Sequence, residues 1–199
     1  MSGPSAQDVK KLRQRTGAPI VACRDALAES EGDFERAVDI LRTRGEARAA
    51  KRAGAEAGQG AVQSYIHAGN KVGVLVEVDC ETDFVARTEG FVGFARDLAL
   101  HIAAKPDLLA VSDEDVPAEE REREQRVAAE QLSNVPEQAR EKAVAGKLSS
   151  WLDEVVLLRQ EHVNPKYEGR TIEDLRAALA SETGENVVIR RFARFQVGD

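Results

Sequence analysis

The 199-residue chain is 42% hydrophobic and 32% charged, with 5% aromatic residues and a net charge of −7. It is too apolar to be disordered, and no apolar run approaches the roughly 20 residues that a membrane-spanning helix needs. The acidic excess argues against a broad phosphate-binding surface and hence against direct nucleic-acid binding. The length suits one medium domain plus a small module. Cys23 and Cys80 lie far apart, forming neither a CxxC pair nor a disulfide framework. With no apolar signal core in MSGPSAQDVKK, a cytoplasmic location is expected.

The first segment predicts three short helices. Ser5 caps a helix holding Val9 and Leu12, with Asp8 three residues on, and Gly17 ends it. Pro19 suits the first turn of a second helix, whose Ile20, Cys23 and Leu27 share a face. Gly32 stops that helix and Asp33 caps a third, where Phe34, Ala37, Val38 and Leu41 repeat at helical spacing before Gly45. Residues 46–60 are rich in Ala and Gly and read as a helical or flexible linker, whose Arg48, Lys51 and Arg52 suit either a phosphate contact or, better supported with only three charges, a solvated face.

From Ala61 the pattern changes. AVQSYIHA and KVGVLVEVD flank Gly69-Asn70, which reads as a two-residue hairpin loop. A helix is predicted over about Glu89 to Ala104, with Phe91, Phe94, Leu98, Ala99 and Ile102 on its apolar side and Pro106 closing it. Charged helices start near Pro117 and Pro136, without a sustained coiled-coil heptad, and Trp151, Leu152, Val155 and Val156 continue an apolar stripe. Thr171 caps a helix to about Ser181. NVVIRRFARFQV then alternates as a strand, with Val188, Arg190, Phe192, Arg194 and Gln196 on one face. Hairpin first, helices between and strand last give an α+β class: a three-helix bundle joined to a core with a small antiparallel sheet.

Few residues suggest chemistry. Asp79, Glu81 and Asp83 alternate, so on a strand they share a face, either as hard-cation ligands of a hydrolase or as solvated carboxylates. The second reading is better supported, because no HExxH, EF-hand or phosphate cradle accompanies them. His67, His101 and His162 have no metal-ligand spacing and read as packed or surface histidines. Cys23 reads as inert on an apolar helix face, and Cys80 as the more accessible thiol. Phe84 follows a buried strand, Val72 to Val78, at a strand-to-helix corner. Two roles fit it: core packing, or a rigid aromatic presented to a partner.

VKKLRQRTGA at 9–18, CRDAL at 23–27, GDFERAVDILR at 32–42, VLVEVDCETDFVAR at 74–87 and GENVVIRRFARFQVG at 184–198 together resemble the bacterial elongation factor Ts family. Its members are guanine-nucleotide exchange factors for elongation factor Tu, and TDFV, residues 82–85, is the most specific of the matched motifs. The resemblance implies a ubiquitin-associated-like bundle over 1–46, a linker over 47–60 and an α+β core over 61–199. Room for a single core subdomain implies a homodimer. It further implies no enzymatic activity, no cofactor, and binding to GDP-bound and nucleotide-free elongation factor Tu. Thr82, Asp83, Phe84 and Val85 would then push into the partner near its magnesium site, and Leu12, Pro19, Ile20 and Val21 would serve docking by the bundle. Where family members often carry a Gly-Met-Met-Asp-like stretch, this chain has Pro19, Ile20, Val21 and Ala22. Apolar character survives, and the carboxylate is lost at Ala22.

Overall fold

The computed structural model describes residues 4–16, 18, 20–52 and 54–198, with the side chains at 46 and 48–50 outside the description. Gly17 and Pro19, expected to end one helix and begin the next, lie outside the described residues, as does the side chain of Arg48. The chain forms two compact units, Met1–Gly60 with Asp79–Phe91 and Arg176–Val188, and Ala61–Val78 with Val92–Leu175 and Ile189–Asp199.

The first unit begins with helices α1 (Ala6–Thr16), α2 (Ile20–Glu29) and α3 (Phe34–Arg52). Ser5 accepts from the Asp8 amide at 3.1 Å and donates its hydroxyl to the Asp8 carboxylate at 2.6 Å, so the predicted cap forms. Asp33 likewise accepts from the Arg36 amide at 3.0 Å. Helix α2 stops where Glu31 and Gly32 take left-handed φ of 56° and 88°. Val9, Leu12, Cys23, Ala26, Leu27, Ala37 and Leu41 make the bundle core. Full burial of Leu12 and Leu27 contributes about 1.5–3 kcal/mol each, which a module this small requires.

Gly45 does not end α3, which runs on to Arg52. A Cβ at Gly45 would fall 1.6 Å from the Ser181 hydroxyl oxygen, so glycine here permits a close approach between helices. It serves packing, not termination.

Strands β1 (Gln59–Ile66), β2 (Val72–Cys80) and β3 (Val188–Gln196) form an antiparallel sheet in the order β1-β2-β3. The hairpin connection is five residues, not two. The Asn70 amide donates to the His67 carbonyl at 3.0 Å, with Gly69 at φ 91° and Asn70 at φ 54°. One face of β2 buries Val74, Val76 and Val78, while Val62, Ile66, Leu75 and Phe195 are exposed. Arg191 pairs with Glu77 at 2.6 Å.

Five further α-helices follow, α4 (Asp83–Ala86), α5 (Glu89–Ala103), α6 (Ala118–Gln131), α7 (Glu137–Val155) and α8 (Ile172–Thr183), with single 3-10 turns at Asp113–Asp115, Leu157–Arg159 and Pro165–Tyr167. Helices α6 and α7 pack on each other. Thr171 and Asp174 cap α8 reciprocally, each amide donating to the other's side chain at 3.1 Å. In the second unit, His101 on α5 is fully buried. Its Nε2–H donates to the Gln160 side-chain Oε1 at 3.0 Å, and its Nδ1 accepts the Val163 amide at 3.2 Å. Both nitrogens are thus engaged by a neutral ring, and burial pushes its pKa down to about 4.

Candidate partner-binding corner

Strand β2 ends at Cys80, and only Glu81 and Thr82 separate it from α4, the single turn made by Asp83, Phe84, Val85 and Ala86. A four-residue helix cannot persist alone, because nucleation fixes several dihedrals for one hydrogen bond. The corner must therefore be held by its surroundings. Thr82 caps it, accepting the Val85 amide at 3.4 Å. Arg87 closes the turn, and Thr88 caps the start of α5 by accepting the Phe91 amide at 3.3 Å.

The outcome for the two aromatics is opposite. Phe91 is fully buried, whereas Phe84 is 79% exposed. The core reading of Phe84 falls, because the turn of α4 directs its ring outward while Ala86 occupies the buried side. Val85 and Thr82 are half-buried beside it. Asp83, also partly exposed, pairs with Arg87 at 2.7 Å across one helical turn.

Two corrections follow from the same geometry. Cys80 is fully buried, with its thiol directed to the Thr82 carbonyl at 3.2 Å, and burial raises its pKa. It is not the accessible thiol. Nor are the three carboxylates a solvated row. Asp79 is buried, Glu81 is bound by Arg52, and Asp83 has left the strand for α4. Among the described residues no group of His, Cys, Asp and Glu is arranged to hold a metal ion.

Glu81 accepts Arg52 Nε at 2.8 Å and the Asn186 amide at 2.7 Å, with a further contact from Arg52 Nη2. The Arg52 guanidinium first, and the Asn186 amide second, hold its carboxyl down to about 2. Arg52 is therefore a structural partner of the corner and not a solvated linker cation. Glu185 answers from the α8–β3 turn, accepting the amides of Glu81 at 3.1 Å and Thr82 at 3.0 Å and the Thr82 hydroxyl at 2.6 Å. Asn186, also buried, donates its side-chain amide to the Ala55 carbonyl at 2.8 Å. These partners escape a sequence reading: 104 residues separate Glu81 from Glu185, and only the Gly-Glu-Asn turn before a strand hints at them.

The bundle places its expected docking residues unequally. Ile20 and Val21 are 56% and 59% exposed at the start of α2, whereas Leu12 is fully buried in the bundle core and offers no surface for docking. Pro19 lies outside the described residues.

The chain matches the family model described as "Elongation factor TS" over residues 22–168. Elongation factor Ts of Desulfotalea psychrophila is 49% identical over 193 residues, covering 96% of each chain. That of Caldanaerobacter subterraneus subsp. tengcongensis is 46% identical over 197 residues, 98% of this chain and 97% of the relative. Elongation factor Ts of Thermosynechococcus vestitus is 46% identical over all of this chain, which spans 67% of that longer relative.

Proposed function

This chain belongs to the elongation factor Ts family, and from that membership we propose that it promotes guanine-nucleotide exchange on elongation factor Tu. The observation that carries the reading is Phe84: a large apolar ring, 79% exposed, on a one-turn helix pinned from several sides. An exposed aromatic on a rigid corner is the anatomy of a binding hot spot.

The chain engages elongation factor Tu in its GDP form through the Ile20–Val21 face of the bundle spanning 1–46 and through the corner at 82–85. Phe84 wedges between helices of the GTPase near its magnesium site, with Thr82 and Val85 packing around it. Asp83 brings a carboxylate close enough to disturb the ion's water shell. Weakened magnesium and phosphate binding releases GDP, and GTP reloads the emptied site. The chain breaks and makes no covalent bond in this cycle and works in the cytoplasm, where translation factors act. Linkage requires that GDP weaken factor binding by the same ratio as the factor weakens GDP binding.

A second copy covers the exposed sheet face of the core spanning 61–199. Val62, Ile66, Leu75 and Phe195 are all exposed there, an apolar group of a kind that marks association surfaces. Sedimentation of the free chain and of its complex shows paired chains in at least one state. A monomer in both, fully active, overturns the pairing.

The test of function is GDP release from elongation factor Tu with and without the full chain, beside capture of the GTPase from a bacterial lysate. Acceleration of release, and capture that added GDP reverses, is the expected result. Unchanged release refutes the proposal.

A further inference from the structure

We propose that Glu185 is a positioning residue for exchange, acting on the partner only through Phe84; this rests on the function proposed above. Helix α4 is one turn and has no stability of its own. The direction of the Phe84 ring is therefore set where the turn is anchored, at Glu81 and Thr82. Both amides and the Thr82 hydroxyl converge on one carboxylate, that of Glu185, at 2.6–3.1 Å. Bonds to an ionised acceptor are roughly twice as strong as neutral ones. The Thr82 hydroxyl faces two ways: it donates to Glu185 and accepts the Val85 amide, so the anchor and the cap of α4 share one oxygen.

The clasp is reciprocal. The Glu185 segment takes the amide of Glu81, while the Glu81 carboxylate takes the amide of Asn186 at 2.7 Å. Two chain segments thus exchange backbone donors for side-chain acceptors, and neither can shift without releasing both. Glu185 itself is held by the turn that ends α8, where Gly184 takes φ 73° and its amide donates to the Ala180 carbonyl at 2.9 Å. None of these hydrogen bonds is made to Phe84. Its effect on exchange is the placement of the ring.

The test is a double-mutant cycle on the full chain, reading the maximal rate of GDP release from elongation factor Tu at saturating factor. Glu185→Ala lowers that maximal rate about 10-fold when Phe84 is present, one decade of rate. In the Phe84→Ala background the same change costs less than about 2-fold, because no ring remains to be aimed. Half-saturation moves little, since the bundle still docks. Glu185→Gln restores most of the rate: its oxygen still accepts the two amides and its NH₂ donates to the Thr82 hydroxyl. If Glu185→Ala does not fold, Glu185→Asp, charged but one methylene short, is read in the same two backgrounds. Equal losses in both backgrounds, or an unchanged rate, overturn this inference while the exchange reading stands. A wild-type chain that fails to accelerate release overturns both.

Discussion

Replacing Phe84 by alanine separates folding from function. The ring is 79% exposed, so only about a fifth of its surface is withdrawn from solvent on folding. Full burial of Phe is worth about 1.5–3 kcal/mol, and a fifth of that is about 0.3–0.6 kcal/mol. In a chain of this length, 1 kcal/mol moves the melting temperature by about 2–4 °C, so the variant melts within about 2 °C of wild type. Phe91 supplies the contrast. Fully buried, it loses about 3–5 kcal/mol on Phe91→Ala, or about 6–20 °C. On the proposed insertion between partner helices, Phe84 buries the remaining four fifths, about 1.2–2.4 kcal/mol. At about 1.36 kcal/mol per decade, its loss slows GDP release about 8- to 60-fold. The assay pairs thermal melting with GDP release on the same preparations. A Phe84→Ala melting temperature that falls as far as that of Phe91→Ala, or an unchanged release rate, refutes the wedge.

Asp83→Asn keeps size and removes charge, so its exchange defect shrinks when magnesium has already been chelated; an equal defect in both conditions refutes the magnesium role. Ile20→Ser with Val21→Ser leaves melting nearly unchanged, because both side chains are more than half exposed, yet weakens binding to the GTPase by titration. Unaltered affinity removes the bundle from docking. Gly45→Ala drives a Cβ into Ser181 and costs about 1–3 kcal/mol in denaturant melts, and adding Ser181→Gly recovers most of it. His101 holds its pKa near 4 when folded against 6.5 unfolded, so the unfolded state takes the proton first and stability, full above pH 6.5, is lost as pH falls toward 4. Between pH 7.5 and 5 the loss is about 2 kcal/mol in urea melts, and a flat profile refutes it.

Local chemistry was legible in the sequence wherever a residue's partner lay within a turn of it. The caps at Ser5, Asp33 and Thr171 bond residues three positions on, and all three form. Distant partners were not legible. Gly45 carries the signature of a helix stop, yet its reason is Ser181, 136 positions away in sequence and adjacent in space. Glu81 looks exposed because polar residues follow the apolar run, whereas the α8–β3 turn binds it, its amide donating to Glu185 and its carboxylate accepting the Asn186 amide. Phe84 was ambiguous for a related reason. Pattern alone does not distinguish a ring that begins a buried helix from one projecting out of a single turn, and α4 is too short to show periodicity.

The energies also bear on how the two proposed contact surfaces must cooperate. Moving a two-state equilibrium from 1:99 to 99:1 needs about 5.5 kcal/mol of differential binding, and Phe84 supplies about 1.2–2.4 kcal/mol. Ile20 and Val21, burying their remaining halves, add together about 1.5–3 kcal/mol. Docking that is equally strong in both nucleotide states shifts nothing, however tight it is. Bundle energy becomes exchange only if the docked bundle obliges the corner to enter. A flexible connection after residue 46 would let the bundle stay bound with Phe84 withdrawn. Instead α3 continues to Arg52, whose guanidinium grips Glu81, while Ala55 accepts the Asn186 side chain. The end of α3 is thus fastened to the residues that hold the corner, and under the proposed function that fastening is the route by which docking energy reaches Phe84.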